Sequence, residues 1–218
     1  TAFYKKYYFI VIKIEIFYNT IDMGRYRMTP QDKSAARKSL GIDPEAFVVI
    51  GNGQVQPRKR LDVFIKMAHA LPDVTFVWVG GIPFKQLGAD YGTMQTMLKN
   101  LPDNFKVTGI VPHNDVRNYL AAADVFCLPA VQENHPMCVL EAAGAGLPII
   151  LRDIPEYKDT FARDVILCDD EMFAEKVALL RNDKSAYQLQ QKHTQAIAKR
   201  FDSDAAADRL VKLYKQLI

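Results

Sequence analysis

Six short apolar runs, separated by segments of helical periodicity, restrict this chain to few architectures. The runs are 47–50, 74–79, 105–107, 125–128, 149–151 and 165–167. Five of the six are nearly continuous in apolar residues, the pattern of strands buried on both faces. Between them, Leu61, Phe64, Ile65, Ala68 and Leu71 share one helical face. Met94, Met97, Leu98 and Leu101 share a second, and Val116, Tyr119 and Leu120 a third. Strand–helix repetition of this kind predicts a parallel sheet with right-handed crossovers and helices on both faces. The expected fold class is therefore α/β: a doubly wound, Rossmann-like sheet of about six strands.

The flanks carry helix signals. Thr29-Pro30-Gln31-Asp32 reads as a helix start, with Thr29 as N-cap, Pro30 in the first turn and Asp32 closing a capping box. From Glu171 onward the pattern is all helical, and Ser203 is expected to cap a final helix running through Leu210, Leu213 and Leu217. At the other end, Ile12-Lys13-Ile14-Glu15-Ile16 alternates as a strand with one polar face, beside the aromatic residues Phe3, Tyr4, Tyr7, Tyr8 and Phe9.

Charge and cysteine usage narrow the function classes. A net charge of +3, with both signs interspersed, gives no whole-molecule field for nucleic acid, so any anion site must be local. Cys127, Cys138 and Cys168 show no CxxC spacing, and the four histidines lie far apart. Neither a disulfide framework nor a zinc site is expected, and a reducing, cytoplasmic compartment fits. No apolar run approaches the roughly 20 residues that span a bilayer.

In an open parallel sheet, ligands bind beyond the carboxyl ends of the strands, so the segments after the strands carry the chemistry. The first run leads into Gly51-Asn52-Gly53-Gln54-Val55-Gln56-Pro57-Arg58-Lys59-Arg60. Glycines that allow close backbone approach, followed by three cations and an amphipathic helix, suit a diphosphate. The fourth run leads into Pro129-Ala130-Val131-Gln132-Glu133-Asn134-His135-Pro136 and then a helix from Met137. Pro136 suits the first helical position, leaving the amides of Met137, Cys138 and Val139 as donors at the positive end of the helix dipole. Glu133 precedes this helix. Glu141 lies within it among Val139, Leu140, Ala142 and Ala143, where a charge requires a partner.

These residues resemble a known family. Glu133 and Glu141 have E-x7-E spacing, and Glu141-Ala142-Ala143-Gly144-Ala145-Gly146-Leu147-Pro148 follows. This is similar to retaining glycosyltransferases of family 4 with the GT-B fold. Asn19-Thr20-Ile21-Asp22 resembles the family's NGID element, and Gly53 to Lys59 its GRLxxxKG loop. Val79-Gly80-Gly81, Val107 to Val111 and Tyr119 to Val125 resemble its VGxG, F-x-G-x-V and Y-x-x-ADV elements. The turn Arg152 to Tyr157 is similar to that of bacterial members that glucosylate diacylglycerol lipids.

The resemblance implies a nucleotide diphosphate sugar, such as a UDP-hexose, as donor substrate, with no cofactor and no metal. Lys59, assisted by Arg58, would neutralise the diphosphate beside Gly53 and Gln54. The backbone at Ile110 would meet the base, Glu133 the transferred sugar, and Glu141 the ribose. Met137 to Val139 would meet phosphate or sugar, with Asn134-His135-Pro136 shaping the approach to the donor sugar. Retention of configuration by front-face attack would leave the protein to supply positioning and charge stabilisation.

Three departures bear on this. Gln54 stands where the family has a diphosphate arginine, so phosphate contacts could shift to Arg58 or Arg60. Asn134-His135-Pro136 replaces glycines, and Arg60 replaces a glycine. Family members also carry two Rossmann-like domains, whereas only 18 residues precede Asn19.

The implied organisation is a linker or N-terminal remnant at 1–22, a nucleotide-sugar domain at 23–200 and a C-terminal helix at 201–218. Such a chain would bind donor. Transfer to an acceptor sugar or glycolipid, at the inner membrane face as a peripheral protein, would need an N-terminal domain in cis or in trans. A dehydrogenase reading fails for want of a third glycine after the first run. A non-catalytic binding partner would have lost Lys59, Glu133 or Glu141, and a GT-B sugar epimerase would be distinguished by its products.

Overall fold

The computed structural model describes residues 16–82 and 91–216. Apart from Ile16, the N-terminal alternating stretch lies outside the described residues, as does Leu217. All six apolar runs form strands: β1 Phe47–Asn52, β2 Val74–Val79, β3 Phe105–Val107, β4 Val125–Leu128, β5 Ile149–Arg152 and β6 Ile166–Cys168. They make one parallel sheet in the order β3-β2-β1-β4-β5-β6. The chain moves outward from β1 to β3, then returns to place β4 on the other side of β1. The switch point therefore falls between β1 and β4, where Val49 is paired with Val125.

Eight helices accompany the sheet among the described residues: α1 Pro30–Leu40, α2 Leu61–Ala70, α3 Tyr91–Lys99, α4 His113–Ala122, α5 Met137–Gly144, α6 Phe173–Asn182, α7 Lys184–Arg200 and α8 Ser203–Lys215. α2 packs against α6, while α1 packs on α4, and α5 on α7. The apolar faces read from the sequence supply the core: Leu61, Phe64, Ala68, Val116 and Leu120 are buried against the buried strand residues Val49, Ile50, Phe76 and Phe126. Continuous apolar strands follow from this, because helices flank the sheet and leave its central strands no polar face.

The expected capping box is present at α1. Thr29 Oγ1 accepts from the Asp32 amide at 3.1 Å, and the Asp32 carboxylate accepts from the Thr29 amide at 2.8 Å. Asp124, inside the ADV element, ties this helix to the sheet. Its carboxylate accepts from Lys33 at 2.5 Å, Arg37 at 2.8 Å and the Val48 amide at 2.7 Å. The motif aspartate thus joins α1, β1 and β4 and lies outside the strand-end loops.

Two helix starts differ from expectation by one residue. The N-cap of α8 is Asp202, whose side chain accepts from the Asp204 amide at 3.0 Å, so Ser203 is the first helical residue. Pro136 is the extended N-cap of α5 and Met137 the first helical residue. The backbone thus enters α8 one residue earlier than expected and α5 one residue later.

Candidate functional site

The loops after β1, β2, β3 and β4 enclose a cleft of about 630 Å³ at the carboxyl ends of the strands, over the switch point. Gly53, Gln54, Lys59, Ile110, Glu133, Pro136, Met137, Cys138 and Glu141 all line it. Elements more than 80 residues apart in sequence thus place nine of the thirteen expected residues on one surface.

The floor of the β1 loop is set by backbone contact. Gly53 donates its amide to Val79 O at 3.0 Å, and the buried Trp78 indole donates to Gly53 O at 2.9 Å. Gly80 has φ +139°, and a Cβ there would stand 2.0 Å from Gly53 O. Only glycine allows these two loops to touch. The loop then turns through Pro57–Lys59 into α2, and Arg60, the residue between, has φ +55°. That left-handed conformation is the physical reason a glycine is usual there. The Arg60 guanidinium pairs with Asp62 at 2.8 Å and Asp170 at 2.6 Å and does not line the cleft, where a shifted phosphate contact was expected.

Glu133 receives the two remaining cations of the loop. Arg58 lies 2.7 Å and Lys59 2.5 Å from the same Glu133 oxygen, Oε1. Lys59 is buried, which strengthens its field in the cleft relative to an exposed lysine. Arg58 does not line the cleft but spans the two loops, donating to Gln132 O at 3.0 Å while its own carbonyl accepts from the Val131 amide at 2.9 Å.

Glu141 is 3% exposed, and three side chains supply the partners that its burial requires. Tyr26 Oη donates to Oε1 at 3.1 Å, His113 Nε2 lies 3.0 Å from the same oxygen, and Asn52 Nδ2 is 3.4 Å from Oε2. Burial, with the Glu141 charge second, pushes the Tyr26 phenol up to about 12, which keeps it a donor. Burial likewise pushes the Cys138 thiol up to about 12, with Lys59 opposing and Glu133 adding, so it is a neutral wall of the cleft.

Four expected residues lie elsewhere. Arg58 acts from behind Glu133, as described. Asn134 is exposed outside the cleft. Val139 is fully buried, and its amide donates to Pro136 O at 3.1 Å, so it is not a donor for an anion. The His135 ring turns away from the cleft into a cage of Tyr18, Phe161 and Phe201, at centroid distances of 5.1, 4.9 and 4.6 Å. Conversely, Asn52, Gly80, Gly81 and His113 line the cleft without having been singled out as ligand contacts. The signal for His113 was its place at the helix start after β3, the same logic that selected Met137.

The model of the glycosyl transferases group 1 family matches residues 32–200. The chain belongs to that family. It is 39% identical over 147 residues to the alpha-galactosylglucosyldiacylglycerol synthase of Streptococcus pneumoniae, covering 67% of this chain and 39% of that protein. It is 33% identical over 141 residues to the processive diacylglycerol alpha-glucosyltransferase of Acholeplasma laidlawii, covering 65% of this chain and 42% of that one. The chain therefore spans about two fifths of these relatives. Anabaena HepE, solved with UDP and glucose, superposes with a TM-score of 0.78 at 22% identity, over 92% of this chain and 56% of HepE. This family member has the Rossmann-like half of the GT-B fold, and it fits the C-terminal domain of such enzymes.

Proposed function

We propose that this chain is the donor-binding part of a glycosyltransferase that takes a hexose from a nucleotide diphosphate sugar, UDP-glucose first among the candidates. The observation that carries the reading is the convergence of Lys59, Glu133 and Glu141 on one strand-end cleft. Lys59 neutralises the diphosphate in the cleft, with Arg58 adding charge from behind Glu133 and with no cofactor. The backbone at Ile110 and Gly81 meets the base, Glu141 holds the ribose, and Glu133 touches the transferred sugar. Charge complementarity supports each placement: cations where phosphate oxygens arrive, and carboxylates where hydroxyls donate.

On this reading the sugar is transferred with retention, and the protein works by holding donor and acceptor in attack geometry. The alpha linkage printed in the names of both relatives supports retention, and their lipid products support a glycolipid acceptor at a membrane surface. Among the described residues no helix is long and apolar enough to cross a membrane, so the attachment proposed is peripheral. Acceptor contacts come from a second domain, in cis or in trans. A thermal-shift screen with UDP, GDP, ADP and their sugars tests the reading. UDP-glucose should stabilise the chain and adenosine should not; no shift with any nucleotide sugar would remove the proposal.

A further inference from the structure

The two cleft glutamates sit on different elements, yet one short stretch of chain reaches the surroundings of both. The Tyr18 ring stacks on the His135 imidazole, with centroids 5.1 Å apart and planes 29° from parallel. Asn19 Nδ2 donates to the His135 carbonyl at 2.9 Å. Seven residues after Asn19, Tyr26 Oη donates to Glu141 Oε1 at 3.1 Å.

Between these points the stretch is fastened to the domain. The Ile21 amide donates to Phe201 O at 3.2 Å, and the Ser203 amide donates back to Ile21 O at 2.9 Å. Asp22 caps the turn Met23–Tyr26, accepting from the Arg25 amide at 3.2 Å. That turn lies flush on α5, since a Cβ on Gly144 would stand 2.8 Å from Tyr26 Cβ.

The Glu133 loop shows why the first contact matters. On its leading side it is held by Arg58, through Val131 and Gln132. On its trailing side the anchor is the His135 ring, set between Tyr18, Phe161 and Phe201. Both imidazole nitrogens are buried and have no hydrogen-bond partner among the described residues, which hold the ring by shape and aromatic contact. Glu133 is suspended between these two anchors.

We infer that residues 18–26 form a strap that positions both cleft carboxylates, Glu133 through His135 and Glu141 through Tyr26. His135 and Tyr26 are then positioning residues that act through the glutamates. The consequence for ligand binding rests on the donor-site reading; the mechanical coupling does not. The two ends of the strap carry different signatures, because one carboxylate faces the sugar and the other the ribose.

The test uses this chain and the variants Tyr18→Ala, His135→Ala, His135→Phe and Tyr26→Phe. Amide hydrogen exchange without ligand reads the coupling directly. Exchange at the Val131 amide, which donates to Arg58 O at 2.9 Å, should rise about tenfold in Tyr18→Ala and His135→Ala, and should match the parent in His135→Phe, which keeps a ring in the cage. Calorimetry with UDP and UDP-glucose reads the consequence. Tyr18→Ala and His135→Ala should weaken UDP-glucose by about tenfold while leaving UDP nearly unchanged, the scale of a slightly misplaced contact. Tyr26→Phe should weaken both ligands by the same factor. Unchanged exchange in both alanine variants, or equal losses for UDP and UDP-glucose in them, would overturn the strap. If the parent chain binds neither ligand, the donor-site reading fails and the exchange result alone decides the coupling.

Discussion

His113 Nε2 lies 3.0 Å from Glu141 Oε1, the oxygen that also accepts the Tyr26 hydroxyl at 3.1 Å. Oε1 is thereby committed to the protein. Among the described residues Oε2 has only the longer Asn52 contact at 3.4 Å, which leaves it the oxygen available to a hydroxyl in the cleft. Replacing the carboxylate with an amide of the same shape puts an N–H donor or a weaker acceptor at that position. Glu141→Gln should therefore weaken nucleoside diphosphate binding by about 1–3 kcal/mol, the range for a charge-assisted hydrogen bond. Unchanged affinity by calorimetry in a folded variant would remove Glu141 from the ribose site.

Lys59 is buried with its ammonium 2.5 Å from Glu133. A diphosphate arriving in the cleft competes with Glu133 for that cation and offers more negative charge. Lys59→Ala should erase most of the preference for UDP over uridine, and in the parent that preference should fall as salt rises. Glu133→Gln removes the competitor, so its UDP affinity should hold or rise while discrimination between UDP-glucose and UDP falls. Titration of uridine, UDP and UDP-glucose at two ionic strengths separates these outcomes. A full UDP preference in Lys59→Ala would reduce the basic loop to a solvated edge.

The strands were legible in the sequence because two-sided burial writes an uninterrupted apolar run, and each of the six runs became a strand. The cleft was legible because a parallel sheet gathers the segments after its strands at one edge, and the strand order then sets those after β1 and β4 side by side. The orientation of His135 was not. Its cage is assembled from residues 18, 161 and 201, far away in sequence, and nothing local distinguishes a ring facing donor from one facing core. The placement of Arg60 outside the cleft was hidden for a similar reason, since Asp170 reaches it from beyond β6. The Asp202 cap was ambiguous in a simpler way: aspartate and serine stand next to each other and both cap well.

Gly80 and Gly92 make a matched pair. At Gly80 a methyl would stand 2.0 Å from the Gly53 carbonyl with φ at +139°, so the β1 and β2 loops must separate. At Gly92, in the first turn of α3, a methyl meets nothing within 4 Å among the described residues. Gly80→Ala should cost about 3 kcal/mol or more and disturb the cleft, whereas Gly92→Ala should be neutral or stabilise by up to about 1 kcal/mol. Urea denaturation of both variants checks the contrast. Equal stabilities would mean that the Gly53–Gly80 contact is not a constraint in solution.

The caged imidazole also gives the domain a pH signature. Burial, with the nearby Arg200 charge second, lowers His135 from 6.5 to about 4. Between those values the folded chain binds fewer protons than the unfolded chain, so stability falls as pH falls. The contribution of neutral His135 is complete above about 6.5 and is lost on the way down to about 4. Because the ring is only partly buried, solvent screening reduces the full linkage value to about 1–2 kcal/mol. Carboxylates titrate over the same interval, so the parent must be compared with His135→Phe, which shares them and cannot take up this proton. The variant should gain about 1–2 kcal/mol on the parent between pH 7 and pH 4.5, read from urea denaturation at each pH. A stability difference that stays constant with pH would show that the imidazole is not held neutral in its cage, and that it exchanges protons as freely as an exposed histidine.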